Sequence, residues 1–534
     1  MYDKNVPVLI VGGGPVGLAT AVFLGRHGIR TVLVEKRGET SLLPRAPGLQ
    51  ARTMELFRAA GIGPDIRALE IGDSHAFFEG GIIKVNTFAE IDDKVVLEAP
   101  SLDGPRVSPE RVMGCGQDRY ERVLVDKAQE YGAEVRFSTQ LVSFEQDDDG
   151  VTAVVEETAT GKVTRIRSRY LVGADGAGSR VRKALGVQRH GRGTVFNALS
   201  IYFRAPELED LLKGAKFILC YANARDSMMG LSRLHGRDPW LAAPLYFPER
   251  GETPADFTDE RCVDIVRSAA GRDIDVEIVD KVPWTGAQLV AEHFRVGRVF
   301  LAGDAGHVHP PAGGFGANTG IHDAHNLAWK LAGVLGGWAG DRLLDTYHDE
   351  RHQVGNAMAE QALARSRIRH GHGSEEDLVS MVDDVIITLG YRYLSSAVIG
   401  SEDDRVLTPK LELSGEPGTR APHVWLDRDG ERLSTVDLFW DSYVLLHGPE
   451  GKAWAQAAQD VAQRLGIPLV CHEIGPDSPL RPSDWDFAAT YGLKPDGATL
   501  VRPDAFVGWR SAEGAAEPAA VLAPVLAGLA GLDA

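Results

Sequence analysis

The sequence predicts an α/β protein: a Rossmann-like dinucleotide-binding domain, a mixed β-sheet domain inserted into it, and a C-terminal α/β domain of thioredoxin-like pattern. Three observations carry this reading. A strand, a G-x-G-x-x-G turn, a helix and a second strand ending in an acid follow one another within residues 8–35. Residues 183–290 then bring strand-like runs with no nucleotide signal, which resumes only near Gly303. A Ser/Gly/Pro-rich shift at residues 414–420 precedes a last, compact run of strands and helices. The expected bounds are 1–182 for the first part of the nucleotide domain, with 68–112 contributing to the insertion, and 183–290 for the insertion itself. Residues 291–413 hold the second part with a helical segment, and 414–534 the C-terminal domain.

The first unit is the most sharply defined. Residues 8–11 are an apolar run suited to a buried strand. Gly12 stands where the turn is tight, Gly14 where backbone approaches a pyrophosphate, and Gly17 where helix and strand pack closely. Pro15 and Val16 lead into a helix placed at residues 18–28, whose N-terminal N–H groups and partial positive charge suit phosphate. Residues 31–34 form the next strand, which ends at Glu35 and Lys36. Glu35 lies 18 residues after Gly17, a position from which a carboxylate accepts hydrogen bonds from ribose hydroxyls. Residues 6–25 carry no charge, but their five glycines and two prolines oppose a membrane span or signal sequence.

Further along, residues 41–61 read as a loop entering a helix, 68–112 as irregular and strand-rich, and 118–131 as an amphipathic helix. Strands are expected at 134–137, 141–146 and 151–157, and residues 163–172 lead into Gly173-Ala174-Asp175-Gly176. In the insertion, 194–203, 216–222 and 240–247 read as strands and 259–270 as a helix. A short strand at 298–301 feeds Gly303-Asp304, with helices at 322–335 and over 340–370. The C-terminal part gives strands at 442–446, 468–472, 499–502 and 505–509, a helix at 453–465 and an Ala/Leu-rich terminal helix. It lacks the C-x-x-C that thiol exchange needs, so its expected role is structural or in assembly.

Composition narrows the function classes. A formal charge of −18 disfavours nucleic-acid or anionic-membrane partners. The four cysteines are scattered, without zinc spacing, and together with the missing signal sequence point to a reducing cytoplasm.

Three motifs occur in order: the glycine fingerprint, Asp175-Gly176-x-x-Ser179-x-x-Arg182, and the run GDAGHVHPPAGGFGANTGIHDAHNLAWKL from Gly303 to Leu331. Together they resemble the class A flavoprotein monooxygenases, the group that includes para-hydroxybenzoate hydroxylase. The full length resembles the branch that hydroxylates phenols and aromatic polyketides. The resemblance implies FAD as cofactor, NADPH or NADH as a transient co-substrate without a domain of its own, O2, and a small aromatic substrate. It implies a cycle in which reduced flavin captures O2 at C4a and passes the distal oxygen to an electron-rich ring. Asp304 then meets the ribityl hydroxyls, and Gly303, Pro311, Gly314, Gly316, Ala317 and Asn318 border the flavin. Arg45, Gln117, Asp175 and Arg182 match positions ascribed to FAD contact, while Arg52 is either part of that signature or a salt-bridge partner. Glycines 313, 314, 316 and 320 would let the backbone lie flat against the ring. The backbone at Pro310, Pro311 and Gly314 is the candidate support for the activated oxygen. Tyr202 and Tyr221 are candidate substrate contacts, or ordinary buried aromatics.

Other readings bear on the same residues. The glycines at 314, 316 and 320 mimic a second fingerprint but follow no apolar strand. His307, His309, His322 and His325 have spacings at which a metal binds, although no metal is expected. Baeyer–Villiger oxidation on the same scaffold, a turnover-silent FAD-binding assembly protein and a metal-dependent hydrolase remain alternatives. Homo-oligomerisation is left open.

Overall fold

The computed structural model describes residues 2–42, 48–70, 80–98, 107–224, 227–233, 239–484 and 486–533. Strand Lys4–Val11 lies at the centre of a largely parallel sheet, between Thr31–Val34 and Val163–Gly173. Ala133–Arg136 extends the sheet on one side and Val299–Leu301 on the other. Val8, Leu9 and Ile10 are fully buried, as a parallel strand covered on both faces requires. Because the chain leaves the first strand in opposite directions, a cleft opens at its carboxyl end, the place where such sheets bind ligands.

The inserted sheet has eight strands. From one edge they are His307–Val308, Glu277–Ala291, Arg189–Arg204, Trp240–Tyr246, Ser227–Arg233, Leu219–Ala224, Ile82–Lys84 and Val95–Glu98. One face, with Leu199, Ile201, Phe203, Cys220, Ala222 and Met229, packs on helix Asp259–Ala270. Alternation along each strand sends the intervening side chains to the other face. The register sets Ala198 opposite Leu245 and Trp284, Tyr202 opposite Leu241, and Phe196 opposite Gly286. Phe196, Tyr202, Tyr221, Leu241, Leu245 and Trp284 therefore share this second face, which looks toward helix Arg342–Arg369.

Several elements differ from expectation. The glycine-bearing run after Pro311 is the start of helix Phe315–Gly336, which begins seven residues before the predicted 322. Gly316 and Gly320 lower intrinsic propensity, but nearly the whole helix is buried, and packing overrides it. Strand Glu277–Ala291 was not legible because Asp280, Lys281, Pro283 and Gly286 interrupt its apolar alternation. Ser227–Arg233 was likewise missed.

The C-terminal sheet runs in the order Leu469–Glu473, Tyr443–His447, Ala498–Val501, Val507–Ser511. Its first pair is parallel, joined by helix Lys452–Leu465, and the others are antiparallel, a thioredoxin-like arrangement. Trp454, Leu522 and Leu526 of this domain share an apolar cluster with Trp329 and Leu343 of the nucleotide domain. The segment 414–420, where the composition shifts, is no loose hinge: Thr419 and Arg420 are buried. Among the described residues no helix is long and apolar enough to cross a membrane.

Buried charges fix the C-terminal domain in place. Arg502 donates to Glu350 at 2.6 and 2.9 Å and to Asp504 at 2.6 Å. Glu350 also accepts from Lys330 Nζ, Asn326 Nδ2 and Ser395 Oγ, each at 2.7 Å. Arg420 pairs with Glu55 through two nitrogens, and Arg52 donates to Glu55 at 3.0 Å and to the Asp504 carbonyl at 2.6 Å. Breaking a buried pair by removing one partner strands the other, so Arg502→Met is expected to cost about 3–5 kcal/mol. The midpoint of urea unfolding checks it: an unchanged midpoint would show that the lock contributes nothing.

Candidate cofactor and substrate site

The N-terminal half of the site is built by steric exclusion. Gly12 has φ +112°, and a Cβ on it would sit 2.2 Å from the Ala174 carbonyl oxygen; one on Gly17 would sit 1.9 Å from that of Gly12. A Cβ on Gly14 would meet nothing within 4 Å, so this glycine faces open space. Helix Pro15–Arg26 starts here, three residues earlier than predicted. Pro15 at its first position forfeits no bond, and the N–H groups of Val16 and Gly17 have no intrahelical acceptor. They point an N-terminal dipole into the cleft. Glu35 is buried beside the turn and accepts from the N–H groups of Gly13 (2.7 Å) and Arg37 (2.8 Å). Lys36 is exposed.

The second half is built around Asp304, in the turn after Val299–Leu301. Its carboxylate is accessible, and no donor among the described residues reaches it. The surrounding protein nevertheless desolvates it and raises its pKa, so it faces a cleft rather than bulk water. Beyond it, helix Phe315–Gly336 starts at Gly314, which has φ +66°, open space around its Cβ position and no side-chain cap. First-turn N–H groups, including those of Gly316 and Ala317, are therefore unpaired at a second helix N-terminus. Pro311 and Gly314 are exposed on this rim, and Pro310 is buried behind it.

Val16 joins the two halves. A Cβ on Gly303 would lie 2.7 Å from its Cγ2, and one on Gly320 would lie 2.4 Å away. Gly320 thus serves helix packing, and Gly313 makes room for the Phe315 ring. Only Gly314 and Gly316 keep a free surface, which corrects the expectation that all four glycines lie against a ring. The Asn318 side chain is saturated: Oδ1 accepts from Gln50 N–H (2.9 Å) and Thr53 Oγ1 (2.7 Å), while Nδ2 donates to the Gly48 and Gly314 carbonyls (3.0 and 2.9 Å). It braces the rim and offers a ligand no free side-chain group.

The other predicted residues divide. Gln117 opens helix Gln117–Glu130 just after the bridge of Met113–Gly114 to Gly48–Leu49, and donates to Glu121 at 2.6 Å. Asp175 Oδ2 accepts from the N–H groups of Arg180 and Val181, leaving Oδ1 without a partner. Arg182 turns inward onto the Val187 carbonyl at 2.9 Å, which makes it a local brace. Arg52 is a salt-bridge partner, as described above. Arg45 lies outside the described residues. Tyr202 and Tyr221 both lie on the second face of the inserted sheet and are nearly inaccessible, at 2% and 8%.

A network hidden from sequence reasoning holds the Asp304 turn. Asp323 accepts from the Gly303 N–H (2.9 Å), His307 Nε2 (2.6 Å) and Arg351 Nε (2.7 Å). Its partners stand 16 to 28 residues away in sequence, so no local pattern announces it. Two of the histidines singled out in the sequence brace the protein: His307 holds Asp323, and His322 meets Thr53 Oγ1 at 3.1 Å. His309 stacks on His307. Among the described residues no group of three His, Cys, Asp or Glu could hold a metal.

Two helix N-termini, an unengaged acid between them and glycine surfaces that a Cβ would obstruct fit an extended dinucleotide such as FAD. The family models that match are an FAD binding domain over residues 5–362 and an aromatic-ring hydroxylase C-terminal domain over 414–531. The chain is 45% identical over 531 residues to tetracenomycin A2 monooxygenase-dioxygenase of Streptomyces glaucescens, covering 96% of this chain and 94% of that protein. It is 39% identical to an aklavinone 12-hydroxylase of Streptomyces purpurascens, covering 98% and 99%. A solved ternary complex of aklavinone-11 hydroxylase with FAD and aklavinone superposes with TM-score 0.91 at 37% identity, covering 99% and 100%.

Replacing Asp304 with Ala removes the acceptor at the centre of the cleft. A fall in FAD affinity of about tenfold is expected, the equivalent of about 1.4 kcal/mol, with flavin fluorescence quenching as the readout. Asp323 gives a pH prediction. Although burial opposes its ionisation, His307 and Arg351 hold its pKa down to about 2. A lowered carboxyl pKa contributes stability that is complete above the unfolded value of about 4 and is lost as pH falls toward the folded one. The stability gap between the protein and Asp323→Asn should accordingly shrink between pH 4 and about 2; a gap constant over that window refutes the assignment.

Proposed function

The chain belongs to the FAD-dependent aromatic-ring hydroxylases, and from that premise we propose that it hydroxylates a planar polycyclic phenol of the aromatic polyketide class. It is a flavoprotein monooxygenase. FAD, reduced by NADPH or NADH, would supply the electrons that activate O2, with one oxygen atom of O2 going to the ring and the other leaving as water. The protein's own residues bind, orient and exclude water. The first-turn N–H groups at Val16 and Gly17 would hold the pyrophosphate, Glu35 the adenosine ribose and Asp304 the ribityl chain. The backbone from Pro310 to Gly314 would border the flavin, and the unpaired N–H groups at the next helix start would favour negative charge there.

The observation that carries the substrate class is the second face of the inserted sheet. Phe196, Leu241, Leu245 and Trp284 are apolar yet only half-buried, a surface matched to a flat aromatic molecule. Tyr202 and Tyr221 lie on the same face and are proposed to border the substrate. A second reading, in which both oxygen atoms of O2 enter the product, draws on the monooxygenase-dioxygenase name of the tetracenomycin relative.

The test supplies FAD-loaded protein with NADPH or NADH and a panel of hydroxylated anthraquinones and naphthacenes under isotopically labelled O2. Stimulated NAD(P)H oxidation and a new phenol bearing one labelled oxygen are expected. Two labelled oxygens would favour the dioxygenase reading, and an inserted ring oxygen seen by NMR would mean Baeyer–Villiger chemistry. An oxidation rate indifferent to every aromatic would leave the protein a flavin-binding assembly component.

A further inference from the structure

This inference rests on reading the cleft as a phenol-hydroxylating site. Helix Arg342–Arg369 spans both of its walls. Arg365 stacks 5.4 Å from the centroid of Phe315, at the start of the glycine-bearing helix. Five residues on, about 7.5 Å further along the axis, His370 caps the C-terminus. Its ring lies 5.1 Å from Phe196 and 6.3 Å from Tyr221, both on the apolar second face. A half-buried imidazole thus stands where the two walls meet.

The backbone determines which nitrogen is available. His370 Nδ1 lies 2.7 Å from the Ser366 carbonyl oxygen. A carbonyl can only accept, so Nδ1 carries the hydrogen and Nε2 keeps its lone pair. No described residue bonds to Nε2, and it is not sealed from solvent. Burial, with Arg369 and His372 nearby, lowers the pKa, although the Ser366 bond opposes this, and the ring is neutral near pH 7. The charges around it are otherwise paired. Arg369 meets Glu98 through two 2.6 Å contacts, Arg367 meets Asp377, and Asp384 meets Arg365. Burial pushes the Tyr221 phenol up, so it remains protonated. Across Phe196, at 5.4 Å between rings, Trp284 holds its Nε1–H buried without a partner. A ligand carbonyl would relieve that donor.

We propose that His370 is the base that deprotonates the substrate phenol, while Trp284 donates to a carbonyl of the same molecule. The phenol O–H bond breaks, its proton moves to Nε2, and the electron pair remains on oxygen to enrich the ring. The resulting imidazolium is steadied through Nδ1–H by the Ser366 carbonyl. The proton returns to the phenolate oxygen of the product before release.

His370→Gln and His370→Asn in the FAD-loaded protein test this. A drop in kcat of about 100-fold at pH 7 is expected, with a neutral-phenol absorption spectrum for bound substrate where the unaltered protein gives the phenolate. The rate of the variants should climb as pH approaches the substrate's own phenol pKa. Variants that keep both the phenolate spectrum and the rate overturn the proposal. Should both lose FAD, the unaltered protein decides. Across phenols of differing acidity, an ascending limb of kcat fixed at one pH supports His370, and a limb that follows each phenol's pKa overturns it. If no aromatic stimulates turnover, the hydroxylase reading fails by itself, and the spectrum of bound phenol still tests the base.

Discussion

The structure depends on one steric constraint: Val16 must fit between Gly303 and Gly320, where neither tolerates a Cβ. Helix Pro15–Arg26 and helix Phe315–Gly336 start 300 residues apart in the chain, yet their N-termini have to open onto one cleft. Each helix end brings only a partial charge and a few unpaired N–H groups. Held together, they border a cleft into which Asp304 presents a carboxylate that no described residue engages. Gly12, Gly17, Gly303 and Gly320 are thus spent on bringing protein surfaces together, while Gly14, Gly314 and Gly316 leave room for a ligand.

Around that cleft the protein uses buried ions where a hydrophobic core would serve stability as well. What the ions add is position. Asp323 fixes the Gly303 turn through its backbone N–H and is itself fixed by His307 and Arg351. Asn318 ties the same helix to Gln50 and Thr53, and the helix carrying Thr53 is gripped from outside by Arg420 through Glu55. A chain of hydrogen bonds consequently runs from the rim of the cleft to the C-terminal domain. An apolar contact would tolerate sliding, whereas a saturated amide or a bidentate pair does not.

The nucleotide sheet was legible because its signals are local: a buried strand, glycines at fixed spacing, an acid after the next strand. The three-motif order was enough to identify the family and its cofactor. The inserted sheet was half legible. Trp240–Tyr246 is a continuous apolar run, while Glu277–Ala291 carries charges and a proline on its exposed half and reads as loop. The first turns of helix Phe315–Gly336 carry Gly316, Asn318, Thr319 and Gly320, weak helix formers whose helical state is set by burial. Arg52 could be read two ways in sequence, since its deciding partners, Glu55 and Asp504, include one from the far end of the chain. Asp323 and His370 depend on contacts that no window of sequence contains.

The buried arginines of the last domain also bear on how such proteins diversify. Arg420 and Arg502 neutralise acids, Glu55 and Glu350, that belong to the nucleotide domain. A chain ending near residue 413 would leave those buried carboxylates with one cation each, Arg52 on Glu55 and Lys330 on Glu350, where each now has two. The domain is therefore not a detachable cassette. A recombinant that exchanged it between homologues would inherit a matched surface only if the acids on helix Ala51–Ala59 and helix Arg342–Arg369 travelled with it.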